Sequence, residues 1–216
     1  MFFGIDLTSK EAKPSACLCL NDKLEVASYG WLHTDSDIVT EVNLYSPWVI
    51  AIDAPLNLPL GLCCLEESCA CQPKSPWKGR WCERELARKR IPCYFTTKKS
   101  IIRRMVYRGI KLKGELGQHG CEVIEVYPYA SKVCLFGKPE RPKTTPEGLL
   151  WLRQELTTAL PNLSPHVDKW NHDLCDAAIA AYTGFLYAQG RTEAVGDAEE
   201  GLIYIPTDSC GRREGG

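Results

Sequence analysis

The chain has no apolar run approaching the roughly 18 residues of a membrane span. Its N-terminus lacks the basic n-region and long apolar h-region of a secretory signal. It enters a core-like stretch at once, which predicts a cytoplasmic protein with no membrane partner. There is no internal repeat and no low-complexity tract, so a solenoid is excluded. Overall charge bias is also missing, because the formal net charge is −1. What is present is ordinary for a soluble globular chain: 44% hydrophobic and 25% charged residues over 216 positions. That length fits one domain with a real core, or one domain carrying an insertion.

The near-zero net charge conceals an asymmetry. Between Lys74 and Lys113 stand fourteen Lys or Arg against two acids, Glu83 and Glu85, a local excess of +12 that leaves −13 for the remainder. A basic segment beside acidic strand ends suits a polyanionic substrate. Arg80, Arg84, Lys98, Lys99, Arg103 and Arg104 are the expected nucleic-acid contacts. The competing reading is a solvated helix face plus a loop.

Three apolar runs each hold one acid. Phe2-Phe-Gly-Ile-Asp6 reads as a strand buried on both faces. Trp48-Val-Ile-Ala-Ile-Asp53 and Val123-Ile-Glu-Val-Tyr127 repeat the pattern with Asp53 and Glu125. A buried ionised carboxylate is costly unless a metal or a hydrogen-bond network compensates it. Three such strands suggest one acidic site at a sheet edge. The alternative for any single one is a capping or turn aspartate.

Between these runs, Ser15–Leu20 and Leu24–Trp31 read as strands around an Asn21-Asp22 turn, completing an antiparallel meander. Asp35 to Leu44 is weakly helical. Helices are expected over Trp81–Arg90, Lys98–Lys113, Tyr129–Phe136, a Pro146-started amphipathic stretch, and Lys169–Gln189. Leu202–Ile205 looks like a late strand, followed by a frayed Gly211–Gly216 tail. The order predicts an α/β protein: a mixed sheet, meander plus parallel strands, with helices on both faces. We divide it into a domain over 1–190, a Cys-rich basic insertion over about 57–118, and a C-terminal extension over 191–216.

His172-Asp-Leu-Cys-Asp176-Ala-Ala sets two aspartates on one helical face. Capping and the helix dipole account for Asp173. They account less well for Asp176, which precedes an alanine-rich, burying stretch. Carboxylates from strands and a helix suit paired divalent ions about 3.5–4 Å apart, which clamp a phosphoryl displacement. Mg²⁺ or Mn²⁺ is the expected ion, since it takes oxygen ligands and needs few acids.

These motifs together resemble a known family. Gly4-Ile-Asp, Ala51-Ile-Asp-Ala-Pro-Leu56, Cys82-Glu-Arg-Glu-Leu86, Glu122-Val-Ile-Glu-Val-Tyr-Pro128 and His172-Asp-Leu-Cys-Asp-Ala-Ala178 look like the domain of unknown function 429, a family of suggested nucleases with RNase H-like fold. The helix motif is similar to that of the RuvC Holliday-junction resolvases. The resemblance implies an RNase H-like fold, with Asp6, Asp53 and Asp176 as metal ligands and Asp173 or Glu125 as a further ligand or orienting base. It also implies a homodimer, by analogy with RuvC-type enzymes. Two departures stand out: Asp53 lies where the RuvC group tends to have Glu, and Glu125 lies where RNase H proteins have no catalytic acid. Glu125 would then pair with Arg84 or another basic residue.

Of twelve cysteines, Cys17, Cys19, Cys121, Cys134 and Cys175 sit among apolar residues and read as core. Cys63, Cys64, Cys69, Cys71, Cys82 and Cys93 fall within 31 positions. Any four suit Zn²⁺ or a [4Fe–4S] cluster stapling an insertion with little core of its own. We assign Cys64, Cys69, Cys71 and Cys82. The alternative is loosely buried free thiols.

The leading functional expectation is a metal-dependent nuclease, a hydrolase acting on DNA or RNA. The first alternative is a non-catalytic module whose basic, cysteine-bearing insertion binds nucleic acid or protein. The second is an ATP-binding phosphotransferase of sugar-kinase or actin type, whose first strand also reads Gly-Ile-Asp before Thr-Ser. The chain is short for that class and shows no Gly-rich adenine-side loop.

Overall fold

The apolar runs become the centre of one seven-stranded sheet in a computed structural model that describes residues 1–10, 13–118 and 120–207. The expected 211–216 tail lies outside the described residues. β1 (Phe2–Asp6), β2 (Ser15–Leu20) and β3 (Val26–Leu32) form the antiparallel meander. Helix α1 (Asp35–Tyr45) turns the chain so that β4 (Val49–Asp53) lies parallel to β1. A long irregular segment follows, interrupted by α2 (Trp81–Arg88). Helix α3 (Arg103–Gly117) then crosses to β5 (Glu122–Val126), parallel to β4. Next come α4 (Pro128–Phe136), α5 (Pro146–Ala159), α6 (Ser164–Val167) and α7 (His172–Ala188). A hairpin of β6 (Thr192–Asp197) and β7 (Gly201–Pro206) closes the sheet, with β7 parallel to β5. The order β3-β2-β1-β4-β5-β7-β6 puts a meander beside parallel strands.

The strands are apolar on both sides because both faces are covered. Phe3, Ile5, Ile50 and Ile52 meet Ile38 and Val42 of α1 and Leu112 and Leu116 of α3. Phe2, Val49, Ala51, Ile124 and Val126 face Ala180 of α7. That helix is alanine-rich because it lies almost against the strands. A Cβ on Gly4 would stand 2.1 Å from the Ala177 carbonyl oxygen and 2.4 Å from the Ala181 nitrogen. Its start is fixed by Asn171, whose side chain accepts from the Leu174 amide at 3.1 Å.

Two stretches differ from expectation. The helical end of the 57–118 segment, α3, buries Leu112 and Leu116 in the main core, so it is the crossover between β4 and β5. The 191–207 stretch pairs into the same sheet. β6 escaped the pattern because Glu193, Gly196 and Asp197 interrupt any apolar alternation. Its pairing with β7 makes it a strand. No helix among the described residues is long and apolar enough to cross a membrane.

Candidate active site

Asp6 and Asp53 are the last residues of neighbouring parallel strands and are register partners. Partners in a parallel pair point to the same face of the pleat. The alternation from Phe2 through Gly4 to Asp6, and from Val49 through Ala51 to Asp53, places both carboxylates on the α7 side. Asp176, in the second turn of α7 and 2% exposed, reaches the same strand ends. Burial, then the Asp53 and Asp176 charges, push the Asp6 carboxyl well up, against a smaller opposing pull from Lys143. Burial and the Asp176 charge raise Asp53 to about 7. Neither Asp6 nor Asp53 forms an ion pair among the described residues.

Asp176 differs in having two cations of its own. Lys132 of α4 donates to Oδ1 at 3.0 Å, and Lys143, in the loop before α5, pairs with Oδ2. Acid excess and lysines meet in a cleft of about 380 Å³ lined by Asp53, Tyr94, Tyr127, Lys132, Lys143 and Asp176. The sequence reading missed both lysines. Lys132 carried a usable signal, a lone charge inside the apolar Tyr129–Phe136 helix; Lys143, in a loop rich in proline and charge, carried none.

The raised pair has a measurable consequence. Both carboxyls bind a proton more tightly in the folded protein than in the unfolded chain. The stability this confers is fully present below the unfolded value near 3.8 and is lost as pH rises through about 7. In chelator, wild-type stability should therefore fall between pH 4 and pH 8 by on the order of 3 kcal/mol. Asp53→Asn should flatten that loss, raising Tm at pH 8 but not at pH 4. Thermal melts across this window check it, and an unchanged pH profile in the variant would contradict the charge crowding.

Asp173 joins at the margin. It is partly exposed, 3.2 Å from Asn171 Nδ2 and 2.6 Å from His172 Nδ1, and its charge adds to the field on Asp6. Glu125 does not join. It is in register with Ile52, so it points away from Asp53, through the opposite face. There it takes a forked pair from Arg80 (Nη1–Oε2 2.8 Å, Nη2–Oε1 2.6 Å) and the Leu56 amide at 2.7 Å. The parity of the pleat thus keeps Glu125 apart from the other expected acids. The suggested partner is Arg80, not Arg84.

Arg80 is consequently removed from the expected nucleic-acid contacts. It is 1% exposed, and its Nε also binds Glu83 at 3.0 Å, so its guanidinium is out of reach of a phosphate. Arg84 is committed to the Gly79 carbonyl at 2.7 Å, to Glu200 at 3.7 Å, and to the face of Trp81. Lys98 donates to the Cys69 carbonyl at 2.5 Å and Arg103 pairs with Glu66 at 3.1 Å. Lys99 and Arg104 are exposed.

The cysteine cluster forms, with one change of membership. The sulfurs of Cys63, Cys64, Cys69 and Cys71 all lie within 4.8 Å of one another, with Cys63 and Cys69 at 3.6 Å. Cys82 is excluded because it is fully buried in the α2 core beside Leu86, Val195 and Ile203. Backbone amides of Cys63 and Cys64 hold the Cys71 thiol down to about 6, whereas hydrogen bonding to Cys69 and Cys71 pushes Cys63 up to about 12. Thiols crowded this way are suited to sharing a cation.

The family model of DUF429, described as "Protein of unknown function (DUF429)", matches residues 4–201, and the chain belongs to that family. Among solved structures, "Thermus thermophilus RuvC structure" is similar with a TM-score of 0.44 at 13% identity, spanning 87% of this chain and 95% of that chain. No curated protein matches.

Proposed function

We propose that this protein hydrolyses phosphodiester bonds of DNA or RNA at the Asp6–Asp53–Asp176 cluster, reached through the cleft that Asp53 and Asp176 line, with Mg²⁺ or Mn²⁺ as cofactor. The observation that carries this reading is the pair Asp6 and Asp53. They are in register, crowded by a third acid, raised in proton affinity, and without an ion pair of their own. Such hard oxygen donors fit a small divalent ion, which relieves the repulsion that otherwise protonates them. When bound there, the ion supplies Lewis-acid stabilisation of charge on the phosphoryl group.

The chain's own groups divide the remaining work. Asp6 and Asp53 would hold the ion, and Asp176 sits within the same field. Lys132 and Lys143 fix Asp176 and set positive charge at the cleft where a phosphate enters. Asp173, at the exposed edge, takes a proton from the attacking water. The new bond joins the water oxygen to phosphorus, the bond from phosphorus to the leaving sugar oxygen breaks, and that oxygen takes up a proton from solvent water.

The test is cleavage of labelled junction, flap, duplex, single-stranded and hybrid substrates with Mg²⁺ or Mn²⁺. Asp6→Asn and Asp53→Asn should each lower the rate on the order of 100- to 1000-fold. Cutting retained in both variants would end this reading. One observation favours the second, non-catalytic reading: Asp176 is already neutralised by two lysines. That reading predicts no metal-dependent cutting by wild type on any substrate.

The cysteine group supports zinc over an iron–sulfur cluster. One tetrahedral zinc with bonds of about 2.3 Å brings its sulfurs to about 3.8 Å apart, close to the 3.6 Å of Cys63 and Cys69. In a four-iron cluster each thiolate binds a different iron, which spreads the sulfurs farther than one shared ion does. The purified protein should carry one zinc per chain by elemental analysis. Cys63→Ser and Cys69→Ser should lose it while Cys82→Ser keeps it. Iron and sulfide in place of zinc, or a loss caused by Cys82→Ser, would refute the assignment.

A further inference from the structure

Beside the acidic cleft lies a second, larger depression of about 680 Å³, between the 59–79 loop and the 94–101 segment. Its lining includes Trp77, Tyr94, Phe95, Lys78, Lys98 and Lys99, and no acidic residue. Trp77 is 69% exposed and Tyr94 62% exposed. Large aromatic rings held in water within a basic depression mark a contact surface. Lys78 sits 5.4 Å from the centre of the Phe95 ring, so a cation lies against an aromatic face within the groove. Tyr94 lines this groove and the acidic cleft alike. The two depressions share that side chain.

We infer that the groove is a track for single-stranded nucleic acid, running over Tyr94 toward the carboxylates. Exposed rings stack on any base, and lysine ammonium groups take phosphates without reading sequence. Base faces are open to such rings only when unpaired, since in a duplex they cover one another. The mixture of Trp77, Tyr94 and the exposed Lys78 and Lys99 therefore selects single strands, where lysines alone would serve any polyanion. The direction of the track rests on the proposed hydrolysis; the binding itself does not.

The experiment keeps those two apart. Asp6→Asn protein in chelator, which does not cut, is titrated by fluorescence anisotropy with labelled single-stranded DNA, single-stranded RNA and duplex DNA. Both single strands should bind more tightly than the duplex, and the sugar preference separates DNA from RNA. Trp77→Ala and Tyr94→Ala should each weaken single-strand binding about 5- to 100-fold with unchanged melting temperature, because both side chains are at the surface. Neutralising Lys78 and Lys99 to glutamine should reduce the salt slope by about 1.4. The proposal is overturned if both aromatic variants bind single strands as the parent does, or if duplex binds better. Aromatic-dependent binding by a protein that never cuts would leave the track standing and remove the nuclease reading. Cutting with no aromatic dependence of binding would do the reverse.

Discussion

Glu125→Ala is expected to destabilise the protein by about 3–5 kcal/mol, a fall in Tm of roughly 10 °C for a chain of this size. Glu125 anchors a buried network that ties the irregular insertion to the sheet. It binds Arg80 through both guanidinium ends and caps the Leu56 amide. Arg80 in turn meets Glu83, which also accepts from the Thr96 amide at 2.8 Å and the Thr96 hydroxyl at 2.6 Å. Removing the acid leaves a guanidinium out of water with half its partners, and that uncompensated charge is the main cost. Urea unfolding of Glu125→Ala and the shape-preserving Glu125→Gln measures it, with the glutamine expected to lose less. The folded fraction of each variant should keep its cleavage rate. A variant of wild-type stability that has lost all cutting would return Glu125 to the catalytic group.

Gly4→Ala should be nearly as damaging, through geometry instead of charge. The added methyl would meet the Ala177 carbonyl oxygen at 2.1 Å and the Ala181 nitrogen at 2.4 Å. Both are backbone atoms of α7, so no side chain can rotate out of the way and the helix must lift from β1. Overpacking of this kind costs about 3 kcal/mol or more. The site should suffer beyond stability, because β1 carries Asp6 and α7 carries Asp173 and Asp176. Cleavage per folded molecule should fall as well. Gly184→Ala is the control on the same helix. Its methyl meets Val49 at 3.4 Å and Ala51 at 3.5 Å, ordinary contacts, so helix propensity should leave it up to about 1 kcal/mol more stable. Equal damage at the two positions would mean that the close approach at Gly4 is not what limits packing.

The sequence by itself determined the meander, the order of β1 to β5 and of the longer helices, and the candidate acids on β1, β4 and α7. Those features are local: apolar runs, turn residues and an i, i+3 pair report on the chain within a few residues of themselves. It also determined that the 63–71 cysteines form a group, since short spacing alone keeps thiols near one another. Only the tertiary structure decided which acids share a site. Asp53 and Glu125 both stand in apolar strands, and one residue of register separates the cleft face from the opposite one. It alone turned Arg80 inward, placed Cys82 in the core, and delivered Lys132 and Lys143 to Asp176. Each of these outcomes joins residues more than 30 positions apart or depends on which side of an element faces the core. A one-dimensional pattern carries neither distance between elements nor the parity of their pairing, and the charges of this site are sorted by both.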